Sequence, residues 1–133
     1  MTAGHDQLRW EGQRAVFAMP PEVDITNADQ IRQGLRAAAG LGAPVLIIDM
    51  SATNFCDSSG VQAIVDAYNQ VHARNQGAAT RTALRLVATT VRRILTLVGV
   101  DQLMPVYSTL EAALADPVGS FGENTASEDR PAE

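Results

Sequence analysis

The segment PVLIIDMSATNFCDSSGVQAIV, Pro44 to Val65, decides how this chain folds. Its first part, PVLIIDM, is an unbroken apolar run rich in branched residues, which is the pattern of a strand buried on both faces at the centre of a sheet. Beyond SATNFCDSS the apolar residues change period. Val61, Ile64, Val65, Tyr68 and Val71 recur at helical steps, with Asp66, Asn69, Gln70 and Arg74 turned away, until Asn75 to Gly77 end the helix. A buried strand, a short polar loop and an amphipathic helix form the repeating unit of an α/β fold.

The flanks extend the same alternation. Upstream, RAVFAM from Arg14 is a short strand stopped by Pro20 and Pro21, because consecutive prolines remove ladder donors and fix φ. The stretch EVDITNADQIRQGLRAAAG then turns helical, with Thr26 or Asn27 as cap and Ala28, Ile31, Leu35 and Ala38 as a stripe of mostly small residues suited to close packing. Downstream, ALRLVA from Ala83 is a further strand, followed by a short helix in which Val91, Ile94, Leu95 and Val98 share a face up to Gly99. Met104 to Tyr107 add a last strand, and Leu110, Ala113 and Leu114 mark a last helix. Trp10 and Phe17 read as core or edge packing. The expected architecture is α/β: one domain over residues 8–115, with a mixed central sheet of about four to five strands covered by helices. From Asp116 to Glu133 the text becomes acidic and rich in small polar residues, and 116–133 reads as a disordered tail.

Composition narrows the function. The 133 residues carry a formal charge of -5, and all ten basic side chains are arginine. A dense basic face for nucleic acid is therefore not expected. Cys56 is the single cysteine, which excludes an internal disulfide and a paired redox motif and suits a reducing cytoplasm. The amino terminus, MTAGHDQLRW, lacks the pattern of a signal peptide, and no apolar stretch approaches the roughly 20 residues that span a bilayer. The reading is a soluble cytoplasmic protein with no nucleic-acid or membrane partner.

The polar knot DSSG carries the functional question. Lying between a central strand and a helix, Ser58 or Ser59 is placed at the N-cap, where a hydroxyl accepts from an orphan backbone amide. Taken alone, that is a structural cap. A nucleophilic serine needs a base within reach, and only His5 and His72 exist. His72 lies three to four helical turns from Ser58, and the flanks lack a G-x-S-x-G elbow, so a hydrolase is not supported. Asp24, Asp49 and Asp57 read as caps or turn formers before metal ligands. No phosphate-cradling glycine motif is present, and no cofactor is expected.

In their order, EVDITNA, then VLIIDMSATNFCDSSGVQAIV, then LRLVATTVRRILTLVGVDQLMPVYSTLEAAL resemble the STAS domain family of bacterial anti-sigma factor antagonists, over roughly Ala15 to Ala115. The resemblance implies a single STAS-like domain that binds partners and is not itself an enzyme. In that family the serine directly after the loop aspartate is phosphorylated by an anti-sigma factor that is also a serine kinase. That serine corresponds to Ser58. The family's acidic residue near the acceptor corresponds to Asp24, and Gly60 to the glycine that keeps the loop beside the acceptor uncluttered. The implied partner-binding set is Asp24, Asp57, Ser58, Ser59 and Gly60. The implied partners are a serine-kinase-type anti-sigma factor and a metal-dependent serine phosphatase that restores the binding form. The alternative is a STAS ligand-binding or scaffold module in which Ser58 only caps the helix.

Two places depart from the family pattern. AATRTA, 78–83, enlarges the connection between helix and strand, and ATT at Ala88 to Thr90 replaces a proline-containing turn, with Thr89 or Thr90 expected to cap the following helix. Cys56 is expected as a small buried apolar residue in the loop floor.

Overall fold

The apolar run after Pro44 forms β4 (Val45–Met50), and all six of its residues are buried. A computed structural model describes residues 7–77 and 81–118. Within it, β4 stands third in a five-stranded sheet, between β2 (Arg14–Ala18) and β6 (Ala83–Ala88). Outside them lie β1 (Leu8–Glu11) and β7 (Val106–Tyr107). The pairs β2–β4, β4–β6 and β6–β7 are parallel, and β1 is antiparallel to β2. With strands on both sides and side chains packed on both faces, β4 has no solvated face towards which its sequence could alternate.

The two faces build separate cores. Leu46, Ile48 and Met50 point to the larger one with Ala15, Phe17, Leu84 and Leu86. This face is covered by α1 (Ala28–Ala39), through Ile31, Leu35 and Ala38, and by α2 (Ser58–Asn75), through Ala63, Ile64, Ala67 and Val71. The small stripe of α1 lets it sit close to the sheet: a Cβ on Gly34 would stand 2.8 Å from the Phe17 ring. Side chains of α2 then serve the end of α1. Gln70 and Arg74 donate to the Arg36 and Ala39 carbonyls at 3.1 and 2.7 Å, satisfying groups that the end of a helix leaves open. Arg32 and Asp66 pair across the two helices at 2.9 Å.

On the opposite face Val16, Val45, Ile47, Ala83 and Val87 pack around Ala113 of α4 (Leu110–Ala115), with Leu110, Leu114, Tyr107 and Val118 at the margin. Arg85, in the middle of β6, points into this core and is only 1% exposed. Its guanidinium donates to the carbonyls of Ala113 at 2.7 Å, Asp116 at 3.1 Å and Pro117 at 2.8 Å. Arg14 donates to the same Asp116 carbonyl at 2.7 Å, and the Asp116 carboxylate takes the Tyr107 hydroxyl. Burial holds the Arg85 pKa below its ordinary value, and three carbonyl dipoles supply the solvation that water would have given. The reading that starts the tail at Asp116 is thus too early: residues 116–118 are tied to the sheet. The remainder of that expectation, 119–133, lies outside the described residues.

Four local features differ from the sequence reading. β1 was hidden because it is an edge strand with three of its four residues exposed, so no apolar period marks it; Trp10, on it, is half exposed. β3 (Glu22–Val23) and β5 (Phe55–Cys56) form a separate parallel pair, each too short to carry a pattern. The short helix α3 (Arg92–Leu97) buries Leu95 and the preceding Val91 but leaves Ile94, Leu97 and Val98 in solvent, because six residues turn only one narrow side inward. Its N-cap is Val91 without a side-chain bond, and the Thr89 hydroxyl donates instead to the Ser108 carbonyl. Of the enlarged connection, 78–80 lie outside the described residues. Its end is fastened by a reciprocal pair: Asn75 donates to the Thr82 carbonyl at 3.0 Å and accepts the Thr82 amide at 2.9 Å.

Candidate functional site

Two chain segments meet beyond the carboxyl end of the central strand. Leaving β4, the chain turns through Asp49, whose carboxylate accepts the Ser51 amide at 2.9 Å, and through Thr53, whose hydroxyl donates to the Pro20 carbonyl at 2.9 Å. Asn54 then donates its amide to the Pro21 carbonyl at 2.7 Å. These bonds align β5 beside β3, with Phe55 opposite Glu22 and Cys56 opposite Val23. One residue further, the Asp57 amide reaches the Val23 carbonyl at 3.1 Å. The pairing therefore brings Asp24 and the start of α2 into one neighbourhood, although 34 positions of sequence separate Asp24 from Ser58.

The helix cap is Asp57, which corrects the placement of Ser58 or Ser59 at that position. The Asp57 backbone is extended, and its carboxylate accepts the amides of Ser59 at 2.8 Å and Gly60 at 3.3 Å. Aspartate ranks with serine as a cap and adds a charge that favours the positive end of the helix dipole. Ser58 is consequently the first helical residue. It is exposed, and its hydroxyl makes no hydrogen bond among the described residues. Ser59 is half-buried, one position deeper.

Gly60 is held by packing beneath the helix start. It is buried, and a Cβ there would stand 2.5 Å from Val23 Cγ1 and 2.6 Å from Cys56 Sγ. Its missing side chain lets the first turn of α2 settle on the β3–β5 pair. Cys56 lies under Gly60 at 3% exposure, as expected for a small buried residue. Burial first, and the neighbouring Asp57 carboxylate second, push its thiol up to about 11. At neutral pH it is a protonated packing group.

Asp24 closes its own turn. Its Oδ1 accepts both the hydroxyl and, at 2.9 Å, the amide of Thr26, and these bonds hold its carboxyl below the usual carboxylate range, the hydroxyl contributing most. Asn27, read as a possible cap for α1, makes no capping bond. It accepts the Asp24 amide at 3.0 Å and donates to the Glu22 carbonyl at 2.8 Å, locking the turn instead. A charged Asp24 engaged in this way is a fixed anion.

The rest of the catalytic inventory stays apart. His72 stacks on Tyr68 at 5.6 Å between ring centroids, far along α2 from Ser58; His5 lies outside the described residues. Asp24, Asp49 and Asp57 each serve a turn or a cap, and among the described residues no group of three or more His, Cys, Asp or Glu side chains is placed to hold a metal ion. No helix among them is long and apolar enough to cross a membrane. The sequence reading took Asp57 for a cap or turn former but gave the N-cap of this helix to Ser58 or Ser59, and it missed Arg85, whose signal was a lone arginine between two leucines in a strand.

Comparison with known proteins finds the same fold elsewhere. An anti-sigma factor antagonist from Mycobacterium paratuberculosis is 27% identical, with a TM-score of 0.70 over 80% of this chain and 87% of that one. SpoIIAA, described as a Bacillus cell fate determinant, is similar in its phosphorylated form at 27% identity and a TM-score of 0.57, covering 81% of this chain and 95% of that one. The unphosphorylated form of SpoIIAA, an anti-sigma factor antagonist, matches at 28% and 0.60, covering 81% and 91%. A search of curated proteins gives no significant match. The STAS domain family model matches residues 8–113, which include both the sheet and the Asp24–Ser58 neighbourhood, and the chain belongs to that family.

Proposed function

We propose that this protein is an anti-sigma factor antagonist governed by phosphorylation of Ser58. With the hydroxyl free, it binds a serine-kinase-type anti-sigma factor and so releases a sigma factor; phosphate on Ser58, added by that kinase, ends the binding. A metal-dependent serine phosphatase restores the active form. The chain acts as a binding module in the cytoplasm and catalyses nothing itself. The observation that carries this reading is the division of labour between Asp57 and Ser58. Because Asp57 caps the helix, the Ser58 hydroxyl is exposed and released from any structural duty. The anti-sigma factor antagonists among the structural neighbours support the class of partner.

The switch then works by electrostatics at the surface. A phosphate brings about -1.5 to -2 charges next to the fixed anions Asp24 and Asp57, so a face that met its partner as a neutral hydroxyl becomes a strongly acidic one. A loss of ~1.4 kcal/mol is already tenfold in affinity. The test is incubation of the purified chain with ATP and recombinant kinase-type anti-sigma factors, followed by mapping of the phosphate. Phosphate on Ser58 with loss of binding is the expected result. Phosphate on Ser59 or elsewhere, or binding that persists after modification, sinks the reading in favour of a scaffold or ligand-binding module.

A further inference from the structure

Two large apolar side chains stand in solvent on the two segments that form the Asp24–Ser58 neighbourhood: Ile25 is 78% exposed and Phe55 50%. Isolated exposed apolar residues are ordinary on protein surfaces and carry no message. These two differ in how firmly they are displayed. Ile25 occupies the tip of a turn closed from both ends, by Thr26 on the Asp24 carboxylate, by the Asn27 side chain on the Asp24 amide, and by the Asn27 amide on the Asp24 carbonyl at 3.1 Å. Phe55 is fixed by its pairing with Glu22 and by its amide on the Pro21 carbonyl at 3.3 Å; since Cys56 points inward, the alternation of the strand turns Phe55 out. Both backbones are held by hydrogen bonds before any partner arrives, which reduces the ordering cost of an interface built there.

The two segments that carry the anchors have charges of one sign. Residues 20–27 and 51–60 contain Glu22, Asp24 and Asp57 and no Arg, Lys or His. The arginines at the start of α3, Arg92 and Arg93, belong to the connection from β6, and Arg92 is engaged with the Ser108 hydroxyl at 2.7 Å. A surface of rigid apolar anchors set among carboxylates fits a partner whose contact face has an apolar recess rimmed by arginine or lysine.

Resting on the reading of Ser58 given above, we infer that Ile25 and Phe55 are the apolar anchors by which this protein docks on its kinase-type partner, with the Ser58 hydroxyl in the same contact and Glu22, Asp24 and Asp57 facing a basic rim. The anchors supply most of the residence time, and the carboxylates speed the encounter. Phosphate on Ser58 therefore introduces a dianion inside the anchored patch, where the partner must either desolvate it or lift off.

The experiment measures binding kinetics of the full chain, wild type, Ile25→Ser, Phe55→Ser and Leu41→Ser, on the kinase-type anti-sigma factor that phosphorylates it in the assay above. Leu41 is equally half exposed but precedes β4, at the opposite end of that strand from Ser58, and serves as control. Ile25→Ser and Phe55→Ser are each expected to raise Kd at least tenfold through a faster off-rate, with unchanged thermal melts, while Leu41→Ser stays within twofold. Wild-type association slows as salt is raised, and Glu22→Gln weakens that dependence. If wild type binds and is phosphorylated while both anchor variants bind equally well, the anchor assignment is overturned and the reading of Ser58 stands. If wild type binds no kinase-type anti-sigma factor, that reading fails and the anchor assignment falls with it.

Discussion

Gly60 lies against Val23 with no room for a single additional carbon: a Cβ would stand 2.5 Å from Val23 Cγ1 and 2.6 Å from Cys56 Sγ. Val23 and Cys56 are themselves paired across β3 and β5, so the contact joins the turn that carries Asp24 to the helix that starts at Ser58. Replacing Gly60 by alanine would gain up to about 1 kcal/mol of helix propensity. Overpacking against a branched, buried valine costs about 1–3 kcal/mol and dominates. Gly60→Ala is expected to melt lower than wild type and to shift the amide resonances of 23–26 as well as those of 57–61. A variant with unchanged melting and unchanged Asp24 resonances would show that the two segments are not mechanically joined.

Stability at the helix start should depend on Asp57 and hardly at all on its neighbour. Asp57→Ala removes the acceptor for the Ser59 and Gly60 amides and is expected to cost about 1 kcal/mol. Ser58→Ala removes an exposed hydroxyl without a partner and should stay within about 0.5 kcal/mol of wild type. Chemical denaturation of both variants checks this, and the opposite ranking would return the cap to the serine.

Binding should follow the reverse order. Under the proposed phosphoswitch, Ser58→Ala binds the kinase-type partner and cannot be turned off, whereas Ser58→Asp folds normally and dissociates faster. Aspartate carries less charge than phosphate, so about a tenfold weakening is the expected scale. Competition between the variants and wild type for the partner is the measurement.

The central strand and the long helix were legible because burial constrains most residues of each element at once. Val45 to Met50 cannot alternate when both faces are packed, and the helical repeat holds at Ile64 and Val71, although Ala63 and Ala67 complete the inward face while Val61 and Tyr68 lie at its margin. The β3–β5 pair was illegible for the converse reason. Two residues hold no period, and their alignment is set by long-range bonds such as Asn54 to Pro21 that leave no local trace. At the site, D-S-S-G announced a capped helix but left the cap ambiguous, since Asp and Ser perform that task equally well. The outward side of Ile94 and Val98 was misjudged because spacing shows which residues share a face, not whether anything lies opposite.

Cys56 gives a pH signature. Its folded pKa, about 11, lies above the ordinary thiol value, so the folded state retains a proton that the unfolded chain releases first. The stability this contributes is complete below the unfolded thiol pKa, near 9, and is lost as pH rises through about 11. Alkylation of the native thiol should accordingly be slow at pH 8 and accelerate with pH until the folded value is reached, whereas urea-unfolded protein reacts quickly at pH 9. Fast labelling of the native chain at pH 8 would contradict the buried, protonated thiol.

Arg85 makes the carboxyl end of the domain a matter of stability. Arg85→Met fills much of the same space but strands the Ala113 and Pro117 carbonyls, and a loss of roughly 2–4 kcal/mol is expected. A chain ending at Ala115 should lose a similar amount by leaving the guanidinium without two of its acceptors. Melting of both forms equal to that of wild type would mean that water replaces these bonds at no cost.

Arg14, Arg85 and Asp116 determine how a pull on the chain is borne. Asp116 offers one carbonyl to Arg14 of β2 and to Arg85 of β6, the strands that flank β4 on either side. Tension arriving from beyond Val118, from a fused domain or a tethered partner, reaches these bonds before it reaches α4. It is then shared across the middle of the sheet, where adjacent parallel ladders resist sliding together. The helix is shielded from being peeled away one turn at a time. A load applied at the carboxyl end meets the hydrogen-bonded centre of the sheet first.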